Sequence, residues 1–104
     1  MTMKLQVNRD ALAGFCREHG IARLEVFGSA LREDFRSDSD VDLLCSLRPD
    51  VKCSLFQWAA LKIDLEKIFG RPVDLVSRWG IERSKNRYRK QAILSTAVPI
   101  YEEG

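Results

Sequence analysis

A glycine-serine turn is followed ten residues later by two aspartates that flank the first residue of an apolar strand. This pattern constrains the fold of this chain more than any other feature. The two parts are Phe27-Gly28-Ser29 and Asp40-Val41-Asp42. The residues from Ile21 to Phe27 end in an apolar run, and Val41 to Cys45 is typical of a short buried strand. The pattern therefore predicts two strands, 21–27 and 41–45, with the turn directly after the first.

Asp40 and Asp42 are spaced so that their side chains share one face of the second strand, with Val41 and Leu43 directed into the core behind them. Two carboxylates roughly 4 Å apart repel by about 4 kcal/mol even at an effective dielectric constant of about 20. A bound cation offsets that repulsion, and hard oxygen ligands with few protein donors suit Mg²⁺. The pair is therefore a candidate site for a divalent metal.

Gly28 and Ser29 complement the aspartates as a candidate phosphate site. Glycine lets the backbone turn sharply and approach a ligand, and Ser29 can cap a short helix, Ala30–Glu33, whose free N–H groups suit an anion. Taken alone, Gly-Ser is an ordinary strand-to-helix turn and Asp-x-Asp a solvated acidic turn. Together, between two strands, they predict the phosphate-and-metal site that nucleotidyl transfer requires.

The signature Gly28-Ser29-x10-Asp40-x-Asp42 resembles that of the nucleotidyltransferase superfamily with the polymerase-beta-like fold. The longer segments 26–35 and 39–44 are similar to the minimal nucleotidyltransferases, the antitoxin halves of HEPN/MNT toxin–antitoxin pairs. The similarity continues through 70–76 and 92–94 to 98–102. Ser37 departs from the family pattern, in which proline is frequent, and Cys45-Ser46-Leu47 replaces an ending that often contains an acid.

The resemblance implies a third carboxylate, for which Asp74 is the candidate. Pro72 to Val76 has the pattern of a strand with Asp74 on one face, and the three acids converge if this strand lies beside that of Asp40 and Asp42. Without the resemblance, an exposed strand residue is equally plausible. We expect the three acids to hold two Mg²⁺ ions, Gly28 and Ser29 to bind the β and γ phosphates, and Asp74 to accept the acceptor's proton.

The resemblance also implies that ATP is the donor, that the acceptor is a tyrosine of a HEPN ribonuclease toxin, and that the attached AMP silences this toxin. The predicted elements account for nearly every residue, so we expect the acceptor on another molecule. Two alternatives remain open: an antitoxin that neutralises its partner by binding alone, and a nucleotidyltransferase that acts on RNA ends. Direct nucleic-acid binding is possible but not favoured.

Composition places the chain among ordinary globular proteins. Residues 1–104 are expected to form a single nucleotidyltransferase domain, with 31% charged and 45% hydrophobic residues and a net charge of +2, too small to indicate a nucleic-acid binder. The three cysteines, Cys16, Cys45 and Cys53, lack Cys-x-x-Cys spacing and are expected to be core thiols rather than disulfide or zinc ligands. We expect no signal peptide and no membrane span, and therefore a cytoplasmic protein.

Three longer helices are predicted around the strands, which gives an α/β (α+β) fold: a mixed β-sheet with packed helices. The first follows an Asn8 cap and stops at Gly20; the second runs from about 54 to 69 with Trp58 in the core. The third starts near Ile81 or Ser84, stops before Pro99 and is expected to direct Tyr88, Ala92, Ile93 and Leu94 inward. A last strand is possible at Ile100-Tyr101.

Asp64 and Glu66 are expected to be solvated, and His19 to be structural. The basic segment, residues 78–90, is either a solvated face or a contact for an acidic partner or RNA.

Overall fold

The computed structural model describes residues 8–28 and 40–103, and within these ranges the chain forms four helices and four strands. In chain order they are α1 (Arg9–His19), β1 (Ile21–Phe27), β2 (Val41–Leu47), α2 (Leu55–Phe69), β3 (Val73–Ser77), α3 (Arg78–Glu82), α4 (Arg87–Thr96) and β4 (Val98–Glu102). The short helix predicted at 30–33 and Ser29 lie outside the described residues.

The four strands form one mixed sheet in the order β3-β2-β1-β4. β1 runs antiparallel to both of its neighbours, β2 and β4, whereas β2 and β3 are parallel. Parallel neighbours need a crossover connection, and α2 provides it. The predicted mixed sheet with packed helices is confirmed, and the possible last strand is β4.

The two faces of the sheet are covered by different helices. The larger cluster joins Val41 and Leu43 of β2 to Leu12 of α1 and Leu65 of α2. A smaller cluster on the other face joins buried residues of β1, β2, α3 and α4: Phe27, Leu44, Ile81 and Ile93. Because side chains alternate along a strand, Asp42 shares the face of Leu44, opposite α1 and α2.

Local signals define the ends of the first two long helices as predicted. The Asn8 side chain accepts a hydrogen bond from the Ala11 amide, 3.1 Å away, and Gly20 ends α1 with φ +73°. Ser54 begins α2 in a reciprocal capping box with Gln57, and Gly70 ends it with φ +72°. These caps satisfy backbone groups that a helix end otherwise leaves without partners.

The prediction of a single third helix is wrong. The chain forms α3 and α4 with a break at 83–86, and Asn86 caps α4 by accepting from the Arg89 amide at 3.1 Å. Within α4 the side that faces the protein contains Lys90, Ile93 and Leu94. Tyr88 and Ala92 lie on the other side, where Tyr88 is 89% exposed and Ala92 is exposed. Ile93 is buried and Leu94 is half-buried, as expected. Trp58 is half-buried at the edge of the larger cluster rather than inside it.

Cys16 and Cys45 are buried core thiols, as predicted, whereas Cys53 is half-buried and packs against the same cluster. Burial raises the pKa of Cys16 and of Cys45 to about 12, and it raises the pKa of Cys53 as well. These thiols therefore stay protonated near neutral pH. Among the described helices, none combines the length and apolar character needed to cross a membrane.

Candidate active site

Asp42 and Asp74 lie next to each other on neighbouring strands. They are register partners in the parallel β2–β3 pair, directly after the pair formed by Val41 and Val73. Side chains at one register position point to the same face of a sheet, whereas Val41 and Val73 are both buried on the other face. Asp42 is half-buried and Asp74 is exposed. The structure thus brings these two carboxylates together at one edge of the sheet.

Asp40 lies immediately before β2, where it is exposed and two positions from Asp42. The amide of the intervening Val41 donates to the Pro72 carbonyl at 2.9 Å, which aligns the start of β2 with the start of β3. Within residues 8–28 and 40–103, no three histidine, cysteine, aspartate or glutamate side chains are gathered as a ready set of metal ligands.

Gly28 is in contact with the carboxylate of Asp42. Phe27, the residue before it, is the register partner of Asp42 in the antiparallel β1–β2 pair. The φ of Gly28 is +70°, and a β-carbon there would overlap Asp42 Oδ2 and lie 3.3 Å from Asp42 Cγ. Position 28 thus requires glycine both for its left-handed backbone and for the space that Asp42 occupies. The glycine turn and the paired carboxylates form one site.

Glu66 of α2 holds the start of β3 on the side of this strand that has no neighbouring strand. Glu66 Oε2 accepts a hydrogen bond from the Val73 amide at 3.0 Å and lies 3.6 Å from Lys62 Nζ. Because β3 is an edge strand, this amide would otherwise lack a strand neighbour. The sequence-based expectation of a simply solvated Glu66 is therefore wrong: its side chain is 30% exposed and fixes the residue before Asp74. Asp64, also expected on the solvated face, is half-buried.

A buried carboxylate at Glu25 belongs to the fold and not to the candidate site. Glu25 is 2% exposed, and its Oε1 accepts from Arg78 Nη1 at 2.6 Å while its Oε2 lies 3.5 Å from Arg23 Nη2. Phe27 and Leu44 separate it from the aspartates on the same face. The sequence-based predictions did not include this ion pair, although a glutamate inside the apolar run of β1 was a signal for it.

The basic segment, residues 78–90, presents cations that no described acid pairs with. Arg78 is bound to Glu25, and the Arg83 guanidinium stacks on the Trp79 ring at 4.1 Å from its centroid. Within the described part of the chain, no ion pair is formed by the four remaining cations: Lys85, Arg87, Arg89 and Lys90. The first turn of α4 contains no acid, so no side chain of that turn offsets the positive end of the helix dipole.

Two surface grooves lie away from the aspartates. One, of about 520 Å³, is lined by the end of α1 and the outer part of α2, including His19 and Ala60. The other, of about 580 Å³, lies at the far ends of β2 and β3 and is lined by Ser77 and Trp79. Neither includes Asp42 or Asp74, so the candidate site is defined by its chemistry rather than by either groove. His19 is exposed and its ring lies 4.4 Å from that of Phe15, consistent with a structural role.

Known proteins resemble this chain in sequence and in fold. Residues 9–99 match the family described as "Nucleotidyltransferase domain". A protein of Methanocaldococcus jannaschii, named as a candidate protein adenylyltransferase, is 31% identical over 83 residues, which are 80% of this chain and 83% of that protein. A solved structure of a candidate minimal nucleotidyltransferase is 40% identical with a TM-score of 0.65, covering 88% of this chain and 87% of that one.

Toxin–antitoxin complexes share the fold at lower identity. One, solved with AMP-PNP, is 17% identical with a TM-score of 0.69 over 93% of this chain and 75% of that chain. Another contains a tri-AMPylated Shewanella oneidensis HEPN toxin with its MNT antitoxin; it is 16% identical with a TM-score of 0.59 over 91% of this chain and 70% of that chain. At these identities the likeness establishes the fold alone.

Proposed function

Because this chain belongs to the nucleotidyltransferase domain family, we propose that it is a Mg²⁺-dependent protein adenylyltransferase that transfers AMP from ATP to a hydroxyl of a partner protein. The partner in this proposal is a HEPN-type ribonuclease toxin. The accepting group is a tyrosine hydroxyl, and the attached AMP silences the toxin, so that the protein acts as an antitoxin in the cytoplasm.

The pairing of Asp42 with Asp74 beside Gly28 is the observation on which the proposal rests. Mg²⁺ is normally bound by one or two carboxylates together with substrate phosphates, and the donor set at this edge of the sheet fits that requirement. Asp40, Asp42 and Asp74 would hold two such ions, which when bound neutralise charge on the triphosphate and activate the attacking hydroxyl.

The chain's own residues supply the remaining steps. The acceptor oxygen attacks the α-phosphorus of ATP, the bond from that phosphorus to pyrophosphate breaks, and the acceptor proton passes to the Asp74 carboxylate. Asp74 is exposed, so a hydroxyl on another molecule can reach it. Gly28 lets the β and γ phosphates approach the backbone of the turn, and Ser29 donates its hydroxyl to them.

Related proteins support the choice of donor and acceptor. The Methanocaldococcus jannaschii relative is named for adenylyl transfer to protein. Among the complexes of the same fold, one contains AMP-PNP, an ATP analogue, and another contains a HEPN toxin that carries AMP groups. We extend the same donor and partner class to this chain.

Intact-mass spectrometry of the toxin tests the proposal. After incubation with this protein, ATP and Mg²⁺, the toxin should gain mass in steps of one AMP, and chelation of the metal should prevent the gain. Asp42→Asn and Asp74→Asn should each slow the gain at least about 100-fold, since charge stabilisation in the transition state is then weakened. Asp50→Asn, which changes an exposed aspartate between β2 and α2, is the matched control and should keep the wild-type rate.

An unchanged toxin mass, with a stable complex formed by both wild type and Asp42→Asn, would contradict the proposal. It would identify an antitoxin that acts by binding alone. Neutralisation in cells by Asp42→Asn at wild-type strength would support the same alternative.

The cluster of cations in the basic segment favours one second candidate function, nucleotidyl transfer to RNA ends. Tyr88 is 89% exposed among these cations, and exposed aromatics beside cations suit single-stranded nucleic acid. Labelled RNA incubated with ATP and Mg²⁺ would be extended in this case, with salt-sensitive binding that weakens in Arg87→Ala and Arg89→Ala.

A further inference from the structure

Helix α2 presents an apolar outer stripe to solvent. We define the α2 stripe by its exposed apolar members: Leu55, Phe56, Ala59, Ala60 and Ile63. Leu55 is 88% exposed, Phe56 is 90% exposed and Ile63 is 52% exposed. Residues three, four and seven apart lie on one side of a helix, so Phe56, Ala59, Ala60 and Ile63 form a continuous strip.

The opposite side of α2 is already covered by the sheet. Leu61, Leu65 and Phe69 are buried in the larger core cluster. A helix that is apolar on both sides is normally buried on both sides, and exposed apolar patches mark interaction surfaces. The α2 stripe is therefore a surface that requires a partner.

We propose that the partner is the α2 stripe of a second copy of this chain, packed antiparallel about a two-fold axis between Ala59 and Ala60. In that arrangement Phe56 faces Ile63 of the other copy, and Ala59 faces Ala60. The small side chains of Ala59 and Ala60 allow the two helices to approach closely at the centre. At each end, Phe56 of one copy packs against Ile63 of the other. A two-fold interface requires such self-complementarity.

The available area is sufficient for a specific interface. A buried aromatic side chain contributes roughly 150–250 Å², so the two Phe56 side chains supply about a third to a half of the roughly 1,000 Å² that a specific interface needs. Two leucines, two isoleucines and four alanines from the two stripes supply the rest.

The charges around the stripe give this association a distinctive salt dependence. Lys62 is paired with Glu66 on its own helix. Lys67 of one copy, however, lies near the start of α2 in the other, where Lys52 is exposed. Repulsion at this rim is screened by salt, so the dimer should tighten as ionic strength rises, whereas contacts made by the basic segment with an anionic partner should weaken.

Pairing through α2 leaves both candidate active sites uncovered. α2 packs on the face of the sheet that contains Val41 and Leu43, whereas Asp42 lies on the opposite face, with Leu44. Each copy in the dimer can therefore receive its own acceptor. The inference itself does not depend on the proposed function, because it concerns the protein without nucleotide or toxin.

Sedimentation equilibrium of the purified protein alone tests the inference. At about 100 µM, in the range where a micromolar Kd gives mostly dimer, the wild type should have twice the 11.9 kDa mass of one chain. Phe56→Ser should raise the dimer Kd at least about 10-fold, since an anchor residue of the interface is removed. Tyr88→Ser is the matched control, because Tyr88 is 89% exposed and lies on α4; its Kd should equal that of the wild type.

A charge swap identifies the antiparallel pairing specifically. Phe56→Glu and Ile63→Lys should each weaken the dimer. The double variant should have a Kd at least about 10-fold lower than the value expected from adding the two single-variant free energies, because opposite charges then face each other across the axis. A monomeric wild type at this concentration would overturn the inference. So would a dimer that Phe56→Ser leaves intact, or a double variant without recovery.

Discussion

Alanine at position 28 should disable the candidate site, whereas alanine at position 70 should cost only stability. The two glycines have nearly the same backbone, with φ +70° at Gly28 and φ +72° at Gly70. They differ in what a β-carbon would meet: at Gly70 nothing lies within 4 Å, whereas at Gly28 the β-carbon would overlap Asp42 Oδ2. The pair therefore separates backbone strain from displacement of the carboxylate.

The magnitudes follow from these two terms. A non-glycine residue in the left-handed region costs about 1–2 kcal/mol, and this cost applies equally to Gly28→Ala and Gly70→Ala. Gly28→Ala must also move the Asp42 side chain from its position, at about 0.5–1.5 kcal/mol for an off-rotamer arrangement. We therefore expect a loss of about 1.5–3.5 kcal/mol in the free energy of unfolding for Gly28→Ala and about 1–2 kcal/mol for Gly70→Ala.

Activity should separate the two variants far more than stability does. Displacement of a catalytic group by about 1 Å can cost 100-fold in rate, so Gly28→Ala should transfer AMP at least about 100-fold more slowly, and Gly70→Ala should stay within about 3-fold of wild type. Urea unfolding gives the stabilities, and the initial rate of toxin mass gain gives the activity at a temperature where both variants are folded.

If Gly28→Ala were as active as Gly70→Ala, with both close to wild type, the reasoning would be refuted. That result would mean that Asp42 can leave its position against Gly28 without consequence, and that the contact between the turn and the carboxylate is not part of the site. A Gly70→Ala variant as inactive as Gly28→Ala would likewise attribute the effect to general strain.

Three further outcomes are expected elsewhere in the molecule. Glu66→Ala should reduce transfer about 10-fold and speed hydrogen exchange at the Val73 amide, whereas Glu66→Gln, which keeps an acceptor oxygen, should restore both; equal effects of the two variants would contradict the positioning role. Arg78→Ala should lower the free energy of unfolding by about 2–3 kcal/mol, because it leaves the buried Glu25 with a weaker partner; a thermal shift within error of wild type would exclude this. Burial raises the pKa of Cys45 from 9.0 to about 12, so the stability that this thiol contributes is complete below about pH 9 and is lost as pH rises towards 12. Cys45→Ala should therefore lose less stability than wild type between about pH 8 and about pH 10.5 in urea titrations, and parallel losses would contradict the assignment.

Helix ends and strand patterns were predictable from the sequence because their causes are local. The Asn8 and Ser54 caps act on amides three residues away, and the positive φ of Gly20 and Gly70 terminates the helices that precede them. The prediction of a single third helix overlooked a local signal of the same kind, since Asn86 caps α4 by accepting from the Arg89 amide three residues later.

The sequence by itself thus determined the strands, most helix ends and the glycine turn that lies close to Asp42. Only the tertiary structure decided that Asp74 stands beside Asp42, that Glu66 holds the start of the same edge strand, and that Glu25 is a buried ion-pair partner rather than a site residue. These arrangements depend on the order of strands in the sheet and on the crossover through α2. Burial of the whole core selects that order, and no local pattern specifies it.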